Sequence, residues 1–193
     1  MLAASRLTPR STLRSHTYAT LIGLLTATGM RVSVALNLRV GDVTAEGLLI
    51  HRTKFQKTRL VPLHDTALAA LQSYLEQRLQ MHSGGDHVFV GSKGQPLAYR
   101  AVYPVFGTLL KAAGVRGSQK HRPRLHELRH TFAVRALEAA PTGRQRAGQH
   151  MVALATYLGH ANINATYWYL QSTAELLMDI AAASDSFFMG ERP

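Results

Sequence analysis

Two short aliphatic segments constrain the fold of this chain most strongly. Residues 48–52 and 58–61 each have the composition of a β-strand, and the basic turn 54–57 joins them. Strands this close in sequence pair antiparallel through their turn. Apolar residues elsewhere recur at three- and four-residue spacing, which is typical of amphipathic helices. The sequence therefore predicts an α+β fold that is mostly helical and carries one small antiparallel sheet.

The predicted helices follow the apolar stripes and the breaks between them. Gly29 fits the position after the first helix, so Arg31 is expected at a helix end. The helices are predicted to cover a segment from the Ser11-Thr12 cap to about residue 27, and then residues 32–38, 66–81, 101–113, 125–139, 151–158 and 164–180. Residues 87–90 are a candidate third strand, whereas 114–124 and 141–149 are predicted as basic, irregular loops.

The charge balance indicates a polyanionic partner. The chain of 193 residues contains 22 lysines and arginines against 11 acidic residues, a formal net charge of +11. Each contact of such a chain with a nucleic-acid phosphate releases condensed counterions, which favours association. Charge alone leaves open a basic protein without a nucleic-acid partner.

The sequence excludes cysteine chemistry and indicates no membrane-spanning segment. The sequence has no cysteine, which excludes disulfides, thiolate metal sites and a cysteine nucleophile. The longest apolar stretch, residues 19–30, is interrupted by threonines and is too short to span a bilayer. We therefore expect no membrane segment.

Four local frames contain residues suited to phosphate chemistry. They are Arg31 in TGMRVS, Lys54 in TKFQKTRLVPL, His126 and Arg129 in LHELRHTFA, and His160 in LGHA with Tyr169 nine positions later. A guanidinium matches two phosphate oxygens at once and keeps its charge. A phenol can act as a nucleophile when its neighbours stabilise the ionised form. Together these groups can break a phosphodiester without a metal ion.

The four frames, in this order, resemble the catalytic domain of the tyrosine recombinase (phage integrase) family. The family pattern has TG-x-R-x-S, a lysine-bearing turn before VPL, LH-x-LRHTFA, and LGH followed nine residues later by tyrosine. The resemblance runs from about residue 8 to residue 172. It implies the family's catalytic-domain fold and site-specific recombination of double-stranded DNA without metal, ATP or another cofactor. It also implies a homo-oligomer, a tetramer on DNA, in the bacterial cytoplasm at the nucleoid.

The resemblance also implies a role for each frame. Tyr169 would attack the scissile phosphate and form a 3′-phosphotyrosyl link, with a 5′-hydroxyl as the leaving group. Arg31 and Arg129 would neutralise the non-bridging oxygens as negative charge builds up. Lys54 would protonate the leaving 5′-oxygen as general acid.

Two histidines and several basic side chains complete the expected site. His126 would assist deprotonation of the nucleophile and His160 would hydrogen-bond the phosphate, although which imidazole is the main general base stays open. His126 and Arg129 are three residues apart, so a helix places them on one face, where they can grip one phosphate. Further contacts with DNA are expected from Arg52, Lys57, Arg59, Arg122 and Arg124.

Neighbours of the same residue type compete for two of these roles. The family pattern places the catalytic lysine first in the K-x-x-K pair, which favours Lys54 over Lys57. The spacing from His160 favours Tyr169 over Tyr167. In a helix these two tyrosines point about 200° apart and cannot share one pocket, so Tyr167 is expected to pack.

The segment His126-Glu127-Leu128-Arg129-His130 also satisfies the zinc-protease pattern H-E-x-x-H. That pattern needs a third ligand. Ala133 and Ala136 stand where the three-histidine version has glycine and histidine, which leaves Glu175 as the remote candidate. A zinc hydrolase is therefore a remote alternative, and we predict no metal site.

Two departures from the family pattern bear on the function. Val34 stands where an acidic residue usually follows the first arginine by three positions. The helical core-binding domain that normally precedes the catalytic domain is absent from this sequence, because the first frame begins near residue 28. We therefore expect a single catalytic domain over residues 1–193, which is either a fragment of a longer protein or an enzyme that grips DNA with a reduced clamp. A type IB topoisomerase that relaxes DNA by similar chemistry and a catalytically impaired DNA-binding module are the alternatives.

Overall fold

The computed structural model describes residues 13–51, 58–81, 84–115, 123–139 and 144–159, with side chains from residue 148 in the last range. The described elements are α1 (Leu13–Thr28), α2 (Val32–Leu36), a 3₁₀ turn (Val40–Asp42), β1 (Val43–Thr44), β2 (Gly47–Ile50), β3 (Arg59–Val61), α3 (Asp65–Met81), α4 (Tyr99–Ala112), α5 (Leu125–Glu138) and α6 (Arg144–Leu158). The prediction of a mostly helical α+β fold is confirmed. The chain divides into two compact units, Met1–Arg129 and His130–Pro193.

The three strands form one antiparallel sheet in the order β1-β2-β3. Ile50 pairs with Arg59 and Leu48 with Val61, which confirms the predicted pairing of the two aliphatic segments. Gly47 begins β2 with a φ of 137°, and a Cβ there would lie 2.3 Å from the Val61 carbonyl oxygen. Only glycine fits this close approach of two strands.

The strand that pairs with the other edge of β2 is β1, Val43–Thr44. The prediction that residues 87–90 form the additional strand was wrong. A tight turn after β1 returns the chain so that Val43 pairs with Leu48. His87 and Val90 form only isolated bridges, with Arg39 and Pro96. All of Val88, Phe89 and Val90 are buried. The apolar run is therefore a core segment rather than a strand with one solvated face.

Helices α1 and α3 build much of the core of the first unit. Leu21 and Leu25 of α1, and Leu71 of α3, are almost completely buried. The Tyr74 hydroxyl lies 3.1 Å from the Thr17 hydroxyl, and its ring stacks on Phe89 at 5.6 Å. Burial raises the pKa of Tyr74, so its hydroxyl is a neutral hydrogen-bonding group inside this core.

The second unit contains the end of α5 and all of the described part of α6. Its core consists of Ala133, Leu137, Met151, Leu154 and Leu158. The Phe132 and Tyr157 rings stack at 5.6 Å. The His150 Nε2 atom lies 2.7 Å from the Ala136 carbonyl oxygen and links the two helices.

Helix α6 begins at Arg144, seven residues before the predicted start, so the prediction of an irregular loop over 141–149 was partly wrong. The extra turns contain arginine, glutamine and alanine, which favour helix and outweigh the one glycine, Gly148. The predicted helix at 164–180 lies outside the described residues. Among the helices that the structure describes, none combines the length and apolarity that crossing a membrane requires.

Candidate active site

The junction between α1 and α2 places Arg31 at a helix end. Gly29 follows the last residue of α1 and has a φ of 59°, a left-handed conformation that glycine adopts without steric penalty. Its N–H donates to the Leu25 carbonyl at 2.9 Å, which closes the helix. Met30 is buried. The next residue, Arg31, therefore emerges at the surface from a segment that the core holds in place.

Arg31 occupies the N-cap position of α2. Its backbone is extended, with φ −68° and ψ 141°. Its carbonyl accepts hydrogen bonds from the N–H groups of Val34 at 2.9 Å and Ala35 at 3.1 Å. These bonds fix the backbone, while the side chain is exposed. The guanidinium is thus presented to solvent from a rigid base.

Arg129 lies on α5 and is only 2% exposed. Its Nη1 donates to the Gly29 carbonyl oxygen at 2.8 Å, although the two residues are 100 positions apart in sequence. This hydrogen bond connects the third frame with the first, two residues before Arg31. A bond from a charged donor is worth about 1.5–3 kcal/mol. It orients the guanidinium against the segment that leads to the other arginine.

His126 lies one turn before Arg129 on α5 and is exposed. The spacing of three residues puts both side chains on one face of the helix. The nearby Arg124 Nε lies 3.7 Å from Glu127 Oε1. The start of α5 therefore carries a buried guanidinium and an exposed imidazole on one face, beside an exposed arginine whose charge Glu127 partly balances.

The predicted site residues divide between described and undescribed parts of the chain. The structure brings the Arg129 side chain to the backbone next to Arg31, with His126 on the same helical face. Lys54, His160 and Tyr169 lie outside the described residues, as do Arg52, Lys57 and Arg122. Among the remaining residues predicted to contact DNA, Arg59 is half-buried on β3, and Arg124 is exposed. The assigned catalytic and DNA-binding roles stay predictions.

The zinc hydrolase alternative requires a cluster of metal-ligating side chains, and the described part of the chain contains none. Over those ranges no group of three or more histidine or acidic side chains could hold a metal ion. Glu175, the remote candidate ligand, lies outside them.

One contact close to the site was not predicted from the sequence, that between Asp42 and His51. Asp42 is largely buried, and its Oδ2 accepts a hydrogen bond from the Arg39 N–H at 2.8 Å. His51 Nε2 lies 3.1 Å from Asp42 Oδ1. An aspartate three residues after Arg39 is a signal for a capped turn, but nothing local indicates its contact with His51.

Comparisons with known proteins identify the fold and the family of this chain. The chain has the fold of a tyrosine recombinase catalytic domain. The model described as Phage integrase family matches residues 5–175, and the chain belongs to this family.

Two curated relatives match over most of the chain. A Sinorhizobium fredii protein that carries the name integrase/recombinase y4rB is 36% identical over 88% of this chain and 56% of its own length. Tyrosine recombinase XerD of Halalkalibacterium halodurans is 32% identical over 84% of this chain and 52% of its own. The chain therefore spans just over half the length of these relatives.

Solved structures agree. XerH site-specific recombinase in its post-cleavage complex with a palindromic difH substrate has a TM-score of 0.74 at 24% identity, covering 95% of this chain and 50% of that one. In its pre-cleavage complex the values are 0.69 and 26%, covering 87% and 46%. The comparisons favour the recombinase interpretation over a zinc hydrolase.

Proposed function

We propose that this chain is the catalytic domain of a site-specific DNA recombinase that cuts and rejoins double-stranded DNA through a 3′-phosphotyrosyl intermediate. The observation that carries the proposal is the bond from buried Arg129 to the Gly29 carbonyl, next to exposed Arg31. This bond anchors the Arg129 guanidinium to the segment that leads to Arg31. Binding of one phosphate by both arginines requires that the two lie close together. Membership of the phage integrase family supports the same activity.

In the proposed reaction, the Tyr169 oxygen attacks the scissile phosphorus while the bond to the 5′-oxygen breaks. The phenolic proton passes to His126 or His160, and Lys54 gives a proton to the leaving 5′-oxygen. Arg31 and Arg129 stabilise the charge on the non-bridging oxygens of the pentavalent transition state, where each such donor is worth about 3–4 kcal/mol. A 5′-hydroxyl of the partner strand then attacks the phosphotyrosine and releases Tyr169.

The proposal includes no cofactor, because the phosphotyrosine conserves the energy of the broken bond and the arginines provide the positive charge. The partner is double-stranded DNA, which the net charge of +11 favours. Strand exchange between two duplexes requires four cleavages, so we propose a homotetramer on DNA. The bacterial cytoplasm, at the nucleoid, is the expected location.

A nicked suicide substrate tests the proposal in a single turnover. The nick lets the short cleaved fragment diffuse away, so the covalent adduct accumulates. In EDTA, the wild type and the matched control Tyr167→Phe should form a protein–DNA adduct that survives denaturation. Tyr169→Phe should bind the same DNA and form none. An adduct with Tyr169→Phe would reassign the nucleophile, and no adduct with the wild type would overturn the proposed activity.

A further inference from the structure

Thr28 is the last residue of α1, and its hydroxyl makes two hydrogen bonds with the backbone around it. The Oγ1 atom donates to the Leu24 carbonyl at 2.7 Å and accepts from the Met30 N–H at 3.3 Å. Thr28 is 1% exposed, so these partners take the place of water, as they do for most buried hydroxyls. The side chain therefore connects the end of α1 with the segment that leads to Arg31.

The Met30 N–H and the Gly29 carbonyl belong to the same peptide unit. A trans peptide unit is planar and rigid, and its N–H and C=O point in opposite directions. The Thr28 oxygen holds the N–H end of this unit, and Arg129 Nη1 donates to the carbonyl end at 2.8 Å. A rotation of the unit would therefore disturb both hydrogen bonds at once.

Glycine makes such a rotation easier than any other residue would. Gly29 has a φ of 59°, and glycine accepts a wide range of backbone angles. The Gly29 N–H donates to the Leu25 carbonyl at 2.9 Å, which fixes the peptide unit before this residue. The direction of the Gly29 carbonyl still depends on the backbone after it. The Thr28 hydroxyl restrains that part of the backbone.

The hydroxyl is itself held in one orientation. A β-branched side chain is stiff at χ1, and threonine in a helix can bond to a carbonyl one turn earlier. The bond to Leu24 uses the hydroxyl hydrogen and leaves a lone pair for the Met30 N–H. At 3.3 Å the bond to Met30 is long for an N–H donor. We therefore expect it to restrain orientation more than it adds to stability.

We propose that Thr28 is a positioning residue for the Arg129 guanidinium, because its hydroxyl fixes the peptide unit whose carbonyl orients Arg129. The inference rests on the proposed function, in which Arg31 and Arg129 bind the scissile phosphate. A displacement of about 1 Å in such a site can remove about 100-fold in rate. Loss of this one hydroxyl should therefore slow cleavage although both arginines are still present.

A substrate with a neutral linkage isolates the contribution of the guanidinium charge. In a methylphosphonate at the cleavage position, a methyl group replaces one non-bridging oxygen, so less negative charge builds up in the transition state. An arginine that neutralises this oxygen is then needed less. Single-turnover cleavage is measured on matched nicked duplexes with a phosphate or either methylphosphonate stereoisomer. Arg129→Ala should be slow on the phosphate, and one stereoisomer should restore most of its rate relative to the wild type.

Thr28→Val should follow the pattern of Arg129→Ala. Valine keeps the branched shape of threonine and lacks the hydroxyl. We expect cleavage of the phosphate to be about 10- to 100-fold slower, with the rate restored by the same stereoisomer and the Kd for DNA unchanged. Thr28→Ser keeps the hydroxyl and should cleave every substrate at nearly the wild-type rate.

Thr17→Val is the matched control on the same helix. Thr17 is also 1% exposed, and its hydroxyl donates to the Leu13 carbonyl, four residues earlier, at 2.9 Å. The other contact of this hydroxyl is with Tyr74 in the core, at 3.1 Å. Thr17→Val should therefore cleave the phosphate like the wild type once the rate is corrected for the folded fraction. An equal loss of rate in both valine variants would contradict the positioning role.

Two results with Thr28→Val would overturn the inference and leave the proposed function intact. One is cleavage of the phosphate at the wild-type rate. The other is cleavage that stays slow on the stereoisomer that restores Arg129→Ala. If Thr28→Val does not fold, Thr28→Ala is measured in its place. Failure of both to fold would show that the fold itself needs the hydroxyl, which also overturns the positioning role.

The same experiment separates failure of the inference from failure of the proposed function. If neither stereoisomer restores Arg129→Ala, the charge of Arg129 does not act on the phosphate, and the inference is lost with it. The wild type still forms its adduct with the phosphate in that case. Absence of the wild-type adduct would instead overturn the proposed function.

Discussion

Two buried arginines in this protein make nearly the same contact in different regions. Arg78 on α3 is 0% exposed and Arg129 on α5 is 2% exposed. Arg78 Nη2 donates to the Gly85 carbonyl at 2.8 Å, and Arg129 Nη1 donates to the Gly29 carbonyl at 2.8 Å. Both glycines have positive φ, 77° and 59°. Each arginine thus holds a left-handed glycine, but only Gly29 leads directly to Arg31.

The comparison teaches that burial of a guanidinium does not by itself mark an active site. Arg78 also donates to the Gly84 carbonyl at 3.2 Å, so it closes the loop after its own helix. Arg129 instead reaches a backbone segment 100 residues away. A structural arginine and a candidate catalytic one therefore differ in the partner carbonyl and in the residues that the chain places directly after that carbonyl.

The largest expected effect comes from truncating each arginine in turn. Arg129→Ala and Arg78→Ala should each lower the free energy of unfolding by about 2 kcal/mol, because each removes a hydrogen bond donated by a buried guanidinium. Only Arg129→Ala should also slow cleavage by the folded protein, by about 100- to 1,000-fold. Denaturant unfolding and single-turnover adduct formation, corrected for the folded fraction, measure the two effects. An equal loss of cleavage in Arg78→Ala would break the distinction.

Replacement of the exposed arginine should separate catalysis from stability. Arg31→Ala should slow cleavage by about 100-fold while the free energy of unfolding changes by less than about 0.5 kcal/mol. The same two measurements apply, and the Kd for DNA is determined alongside them. Arg14→Ala removes an equal charge from an exposed position over the Tyr18 ring and is the control. Loss of stability in Arg31→Ala comparable to that of Arg129→Ala would show that both arginines are structural.

The smallest effect concerns the loop that Arg78 holds. Asp86 follows Gly85, and its hydrogen bond with Arg39 lowers the pKa of the Asp86 carboxyl. A lowered pKa means that the pair stabilises the fold above the ordinary aspartate range, and that this contribution is lost as the pH falls through the folded-state pKa. Arg39→Ala should raise the Asp86 pKa towards its ordinary value in a carbon-13 NMR titration. An unchanged pKa would show that the loop, not the ion pair, sets it.

Local patterns in the sequence were sufficient to predict the helices and strands around the site. Gly29 ends α1 because glycine alone adopts the left-handed backbone freely. The paired aliphatic segments became β2 and β3, as expected for two strand-forming segments that are close in sequence. The LHELRHTFA frame was correctly predicted to be helical. These features depend on the chain within a few residues, where φ preferences and helical or strand periodicity act directly.

Side-chain burial was less predictable. Helical spacing from Leu71 and Leu75 favours Leu79 on the inner face of α3, yet Leu79 is 43% exposed while Arg78 is buried. Leu71, Tyr74, Leu75 and Arg78 complete one helical stripe, and the arginine takes its last position because glycine carbonyls lie within reach. Hydropathy alone predicts that leucine, rather than arginine, is the buried residue at the end of α3.

The sequence by itself determined the family, the helical character and the order of the phosphate-binding frames, because these are properties of residue type and spacing along one chain. Only the tertiary structure decided that Arg129 reaches Gly29 and that Asp42 meets His51. Both contacts join segments with no local signal for each other, and they form because a buried donor or carboxylate must find a partner in the folded core.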